Sequence, residues 1–173
     1  MLTVLIETRN DEEALARTLA CLVGAAVQGV VRDVIVCDRG STDQTHSVAE
    51  HAGCHYLTEG GLAAGVRQAK GEWLLLLEPG ARLSEGWPES VLAHVGRMTV
   101  PARFSRARAD RLGLFSRIVS SPSALSEGLV IRKGQAVSLS RTASSAEALA
   151  RGLAPKRLEA EIRVADPARR KRR

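Results

Sequence analysis

A single α/β domain with a mostly parallel sheet flanked by helices is predicted by three features of the first hundred residues. Apolar runs of strand length alternate with amphipathic stretches at helical spacing, which implies right-handed crossovers between parallel strands. One run, "EWLLLLE" (Glu72–Glu78), is apolar without alternation, as in strands covered on both faces. Each run also ends in a polar or glycine-bearing turn, and ligands of open α/β sheets lie beyond such carboxyl ends.

The elements follow in order. "LTVLIE" (Leu2–Glu7) is the first strand. Asn10 is placed as the N-cap of the next helix, with Glu13 in capping-box position, and Leu15, Leu19, Leu22 and Val23 at helical spacing. "VRDVIVCD" (Val31–Asp38) is the second strand. Ser41 and Gln44 repeat the capping-box spacing ahead of a helix through Val48 and Ala49 that Gly53 stops. "CHYL" is a weaker third strand, followed by a helix carrying Leu62, Val66 and Ala69 and closed by Gly71. After "EWLLLLE", a helix is expected from Ser84, with Pro88 near its first turn and Val91, Val95 and Met98 on one face. "PARFSRARAD" and "GLVIRK" read as strands, "SSAEALARGL" as a short helix, and "RLEAEIRV" as a strand or a helix.

The bulk properties fit this picture. At 173 residues, 45% hydrophobic and 25% charged, the chain has the composition of one globular domain. No apolar run approaches the roughly 20 residues that span a bilayer, and the N-terminus enters a strand directly. A cytoplasmic protein is therefore expected. Cys21, Cys37 and Cys54 fall at apolar positions of separate elements, which suits reduced core thiols rather than a disulfide framework or a zinc site. The net charge of +6 is uneven. One basic cluster comprises Arg97, Arg103, Arg106, Arg108, Arg111 and Arg117, and another is the tail at 167–173. Such patches favour phosphate-bearing partners, including an anionic membrane surface. Nucleic acid is disfavoured, because Phe104 and Phe115 are the only aromatics near those arginines.

The strand ends carry the candidate chemistry. Glu7, Thr8, Arg9 and Asn10 follow the first strand, Asp38 to Asp43 the second, and Glu78, Pro79 and Gly80 the fourth. Carboxylates there can accept from a base or ribose, while an arginine and backbone N–H groups face phosphate. "GGLAAG" (Gly60–Gly65) lacks the Lys-Ser/Thr ending of a phosphate loop, so close packing of a helix on the sheet is the expected reason for its glycines.

"TVLIETRNDEEALARTLACLV", "VRDVIVCDRGSTDQT" and "AKGEWLLLLEPGARLSEGW" together resemble the nucleotide-binding half of family 2 glycosyltransferases with the GT-A fold. The resemblance covers roughly the first 90 residues. It implies a GT-A-like, Rossmann-like sheet in one domain: a nucleotide-binding half over 1–100, a reduced acceptor-side part over 101–166, and the basic tail 167–173. It further implies that a nucleotide-sugar donor is held by Thr8, Arg9, Asn10, Asp38, Arg39, Gly40, Ser41 and Asp43. Glu78 takes the first place of the Asp-x-Asp motif that helps hold Mg²⁺ or Mn²⁺ on the diphosphate. Glu127 and Glu147 are the candidates for the later acidic positions, including the general base.

Several positions depart from the family pattern. Glu7 stands where Pro is common, Arg39 replaces a second Asp, and Gly80 removes the second carboxylate of Asp-x-Asp. One Glu with waters and phosphate oxygens is a weaker hold on a hard cation. Two readings stay open: a transferase whose Arg39, or an arginine of the 97–117 cluster, supplies part of the missing positive charge, and a degenerate relative that keeps nucleotide or partner binding. A basic surface also suits a lipid-linked acceptor and a peripheral position at the inner membrane face.

Overall fold

A computed structural model of the protein describes residues 1–107 and 123–165. Arg108, Arg111, Phe115, Arg117 and the basic tail lie outside those residues. The described elements are β1 (Leu2–Thr8), α1 (Glu12–Ala20), α2 (Val23–Val27), β2 (Val31–Asp38), α3 (Thr45–His51), β3 (His55–Leu57), α4 (Gly61–Gln68) and β4 (Trp73–Leu77). They continue with β5 (Arg82–Leu83), α5 (Trp87–Val95), β6 (Ala102–Arg106), β7 (Leu129–Arg132), α6 (Lys133–Leu139), α7 (Ala146–Ala150) and β8 (Lys156–Arg163).

The strands form one eight-stranded sheet in the order β3-β2-β1-β4-β7-β6-β8-β5. β1 pairs in parallel with β2 and β4, and β2 with β3. β7 runs antiparallel to both β4 and β6, while β8 is parallel to β6 and antiparallel to β5. The sheet is thus mixed, with its parallel half drawn from the N-terminal part of the chain. From β1 the chain lays β2 and β3 to one side and β4 to the other. That reversal opens a crevice at the carboxyl ends of β1 and β4, where α/β sheets take their ligands.

Both faces are buried because successive strand residues point to opposite sides. Val4, Ile6, Leu75 and Leu77 meet Leu15 and Leu19 of α1, Ala49 of α3, and Trp87 and Val91 of α5 on one face. Leu5, Leu74 and Leu76 meet Leu62 and Val66 of α4, Ala136 of α6 and Leu149 of α7 on the other. Each such aliphatic side chain contributes about 1.5–3 kcal/mol when fully buried. Cys37 is buried and Cys21 and Cys54 are half-buried, all three as free thiols; burial pushes Cys37 up to about 12 and Cys54 to about 11. Among the described residues no helix is long and apolar enough to cross a membrane.

Several local expectations are corrected. Val23 does not extend α1: the chain breaks at Cys21–Leu22, and Val23 opens α2 with its side chain in solvent. The helix expected from Ser84 begins at Trp87, because Ser84 is held by β8. Its N–H donates to the Glu161 carbonyl at 2.9 Å, and its Oγ accepts from the Glu161 N–H at 3.0 Å. Met98 lies beyond the end of α5 and is exposed. "RLEAEIRV" resolves as strand β8, with Leu158 and Ile162 turned inward. At Gly65 an added Cβ would sit 2.6 Å from Cys37 Sγ, so that glycine lets α4 lie close on the sheet.

Gly71 does not close α4 but packs against β1. Its N–H donates to Thr3 Oγ1 at 2.8 Å, and an added Cβ would lie 2.6 Å from the Thr3 nitrogen and 2.8 Å from the Met1 oxygen. Backbone atoms of a central strand cannot yield to a methyl group. Gly71→Ala is therefore expected to lower stability by about 1–3 kcal/mol. In urea unfolding this appears as a lower midpoint at unchanged slope, and an unaltered midpoint contradicts the packing described.

Candidate functional site

The carboxyl ends of three strands border one cleft of about 220 Å³. β1 supplies Glu7, Thr8 and Arg9, β2 supplies Arg39, and β4 supplies Leu77, Glu78 and Pro79. Leu125, Ser145 and Glu147 form the wall contributed by the C-terminal part.

The loops after β1 and β2 are latched to one another around Asp38, which is buried. Its Oδ1 accepts from Thr8 Oγ1 at 3.0 Å and from Ser41 Oγ; its Oδ2 accepts from the N–H groups of Gly40 at 3.0 Å and Ser41 at 2.7 Å. The Arg39 N–H donates to the Thr8 carbonyl at 2.9 Å, which carries the β1–β2 pairing one residue past the strands. Asn10 closes the latch: its N–H donates to Ser41 Oγ at 2.8 Å, and its Oδ1 accepts from the Thr42 N–H at 2.7 Å. Gly40 at φ +88° and Asn10 at φ +55° take the left-handed turns this requires, a region that glycine and, less readily, asparagine enter.

Both expected capping boxes are replaced by caps from the neighbouring loop. α1 starts at Glu12 behind Asp11, not behind Asn10, whose side chain and left-handed backbone are committed to the second loop. Glu13 pairs with Arg17 instead of reaching back. α3 starts at Thr45 behind Gln44, while Ser41 serves Asp38. The two helix starts satisfy each other: the Glu12 N–H donates to Asp43 Oδ2 at 3.3 Å, the Gln44 N–H to Glu12 Oε2 at 2.9 Å, and the Asp11 N–H to Thr45 Oγ1 at 3.0 Å. Burial pushes the Asp43 carboxyl up, but hydrogen bonds from Thr45 and the Glu12 N–H outweigh it and leave it below its ordinary value.

Glu7 fastens the opposite wall. Its Oε2 accepts from the N–H of Ala146, the first residue of α7, while the N-cap Ser145 accepts from the Ala148 N–H at 3.1 Å. This brings α7 to the tip of β1 and puts Glu147 on the cleft, where it also meets Arg151 at 3.1 Å. Sequence reasoning grouped Glu7 with the strand-end carboxylates and noted it as a departure, but gave it no part in holding a helix. The available signal was physical: a carboxylate at the tip of a buried strand needs a partner.

The candidate residues thus separate by position. Thr8, Arg9, Arg39, Glu78 and Glu147 line the cleft, whereas Asn10, Asp38, Gly40, Ser41 and Asp43 build the latch behind it. Glu127 is outside the lining. It sits in the turn before β7, 3.3 Å from Arg103 and 3.7 Å from Arg106. Those two arginines of the basic cluster therefore face a carboxylate. Gly80, at φ +93°, donates to the Ala14 carbonyl at 3.0 Å and to Thr18 Oγ1 at 2.8 Å. Among the described residues, no three His, Cys, Asp or Glu side chains are grouped as metal ligands.

The latch makes an acid-sensitive joint. Burial raises the Asp38 carboxyl, yet the Ser41 hydroxyl, the Ser41 N–H and Thr8 hold it below its ordinary value of 3.8. A depressed folded pKa stabilises the fold above the unfolded value, and that contribution is lost as pH falls through the folded one. Asp38→Asn is expected to cost about 1.5–3 kcal/mol at neutral pH, as for hydrogen bonds to a charged group. In urea unfolding, the gap between wild type and variant should narrow as pH drops below 3.8. A gap that stays constant into acid contradicts the charged latch.

Comparison with known proteins accords with this geometry. No curated protein matches the chain by sequence. Among solved structures, residues 1–349 of S. aureus TarS share 16% identity over 96% of this chain and 60% of that one, with a TM-score of 0.64. The same protein in complex with UDP gives 17% identity over 86% of this chain and 52% of that one, with a TM-score of 0.59. Glucosyl-3-phosphoglycerate synthase from Mycobacterium tuberculosis, solved with Mn²⁺, UDP and glucosyl-3-phosphoglycerate, shares 18% identity over 78% of this chain and 57% of that one, with a TM-score of 0.55. At such identities the likeness is one of fold, and the chain spans little more than half the length of each. The family model described as Glycosyl transferase family 2 matches residues 3–111, well over half of the sequence, and the chain belongs to that family.

Proposed function

We propose that the protein binds a nucleotide-sugar donor in the rim cleft and transfers its sugar to an acceptor hydroxyl. The supporting observation is the convergence of three strand tips on one cleft lined by Arg9, Arg39, Glu78 and Glu147. The UDP seen in the TarS and synthase structures suggests a nucleoside diphosphate as the leaving group.

In this reading Glu147 is the general base. It lies on the cleft wall opposite the strand tips, on a helix that Glu7 holds in place. It takes the proton of the acceptor hydroxyl as the acceptor oxygen bonds to the anomeric carbon. The bond from that carbon to the phosphate oxygen breaks, and its electron pair leaves on the nucleoside diphosphate. Positively charged groups aimed at that developing charge lower the barrier. Glu127 is less suited to the role, because it lies outside the cleft lining. The basic residues beyond Gly96 suit an acceptor carried on anionic lipid, with each added cation near such a surface contributing about 1 kcal/mol.

A second reading, nucleotide binding without transfer, is favoured by the loss of the motif's second carboxylate at Gly80. The cleft of about 220 Å³ falls below the usual range for small-molecule sites of about 300–1,000 Å³. It accommodates part of a donor, the remainder lying along the open rim.

The two readings separate in one comparison. Calorimetric titration with UDP and GDP measures binding, and nucleoside diphosphate release from UDP- and GDP-sugars measures turnover. Transfer predicts both binding and release. Glu147→Gln should then lower the rate about 10²–10⁴-fold while nucleotide affinity stays within twofold. Binding without release supports the second reading, and absence of binding overturns both.

A further inference from the structure

We propose that Arg9 and Arg39 together hold the diphosphate of the bound nucleotide directly, with no divalent cation between protein and ligand. The inference rests on the nucleotide-binding reading above and concerns how the same cleft neutralises its guest.

The first argument is the donor set. A hard divalent cation takes six or more oxygens in a tight shell, with protein carboxylates supplying the anionic ones. In this cleft Glu7 accepts from the Ala146 N–H, and Glu147 is the carboxylate assigned to the acceptor hydroxyl. The second carboxylate of the family's motif would have to come from position 80, and the backbone there points elsewhere. A Cβ built on Gly80 meets Ala165 Cβ at 3.4 Å and Ala14 Cβ at 3.6 Å. A side chain at 80 would therefore start out in contact with Ala14 of α1 and with Ala165, and Gly80 is not part of the cleft lining. With φ at +93° and its N–H bonded to Ala14 and Thr18, the loop is also fixed in a conformation that side-chain-bearing residues rarely adopt. The loss is built into the fold of this loop, beyond the identity of one residue. Glu78 is thus the one carboxylate that the family's motif supplies to this cleft.

The second argument is the positive charge. Arg9 and Arg39 border the cleft from adjacent strand tips, and the Arg39 N–H to Thr8 bond sets their backbones side by side. Neither guanidinium makes a hydrogen bond or ion pair with a described residue. Several other cations of the described surface are committed, and neither of the two partnerless ones that share the cleft lining is among them. Arg103 and Arg106 face Glu127, and Arg132 stacks over Trp73 at 5.5 Å. Lys133 Nζ donates to the Arg67 and Ala69 carbonyls. A pyrophosphate diester carries one negative charge on each phosphate, and a guanidinium offers paired N–H donors of matching geometry. Two arginines on a latched platform thus supply both the charge and the direction that a metal would otherwise provide.

The test is calorimetric titration of UDP and GDP into the full-length protein in EDTA and again in Mn²⁺. Affinity should be the same within twofold in the two buffers. Arg9→Ala and Arg39→Ala should each weaken metal-free binding at least tenfold, with Arg→Lys at either position restoring part of it. Arg17→Ala, which removes a surface partner of Glu13, should leave affinity unchanged. Both cleft arginines are exposed, and unchanged circular dichroism confirms that the variants fold. Binding that appears only with Mn²⁺ overturns this inference and leaves the nucleotide reading standing. Metal-free binding that ignores both alanine substitutions overturns it equally. Absence of binding in either buffer removes the nucleotide reading and this inference with it.

Discussion

The buried carboxylate of Asp38 is the joint on which the rest of the site depends. A charge taken out of water is tolerated only when hydrogen bonds replace its hydration. Asp38 receives them from Thr8 on one strand tip and from Gly40 and Ser41 on its own loop. Satisfying one anion therefore fixes two loops at once. Asn10 and Ser41 then bind across the gap, and the helices that follow exchange caps through Glu12 and Asp43. The outcome is a rigid ledge that holds Arg9 and Arg39 at the mouth of the crevice between β1 and β4.

Rigidity at this point has a functional meaning. Charged groups that must rearrange to meet a ligand lose part of their interaction to that rearrangement, whereas groups held in place keep it. The antiparallel half of the sheet completes the arrangement from the other side. It returns the chain through β7 and α6 to α7, and Glu7 secures the first N–H of that helix against the tip of β1. One carboxylate thus organises the ledge that carries Arg9 and Arg39, and another organises the wall that carries Glu147. Neither needs to touch a substrate to do so.

Much of this was legible in the residues. The continuous apolar run in "EWLLLLE" marked β4 because strands covered on both faces leave no room for polar alternation, and the apolar stretch of "VRDVIVCD" marked β2. The GT-A-like α/β sheet, in one domain, follows from those runs and from the words at their ends. Local patterns misled where the partner is distant in sequence. Asn10 and Ser41 have the spacing of N-caps, yet each is drawn to the other's loop. The two-residue β5 exists only through pairing with β8, and Ser84 is claimed by Glu161 rather than by a helix. At the site, the strand-tip residues border one cleft, but the sequence did not divide them between latch and lining. That division depends on which way each side chain faces, and periodicity says little about this in a turn.

The central claim is that the tips of β1, β2 and β4 share a single phosphate-bearing guest, and a crystal structure of the protein grown with UDP tests it most directly. The account predicts density for the diphosphate between the guanidinium groups of Arg9 and Arg39, facing Glu78, with the Asp38 latch unmoved. UDP bound elsewhere, for example in the open basic cleft beside Lys70 and Arg132 at the other end of β4, contradicts it.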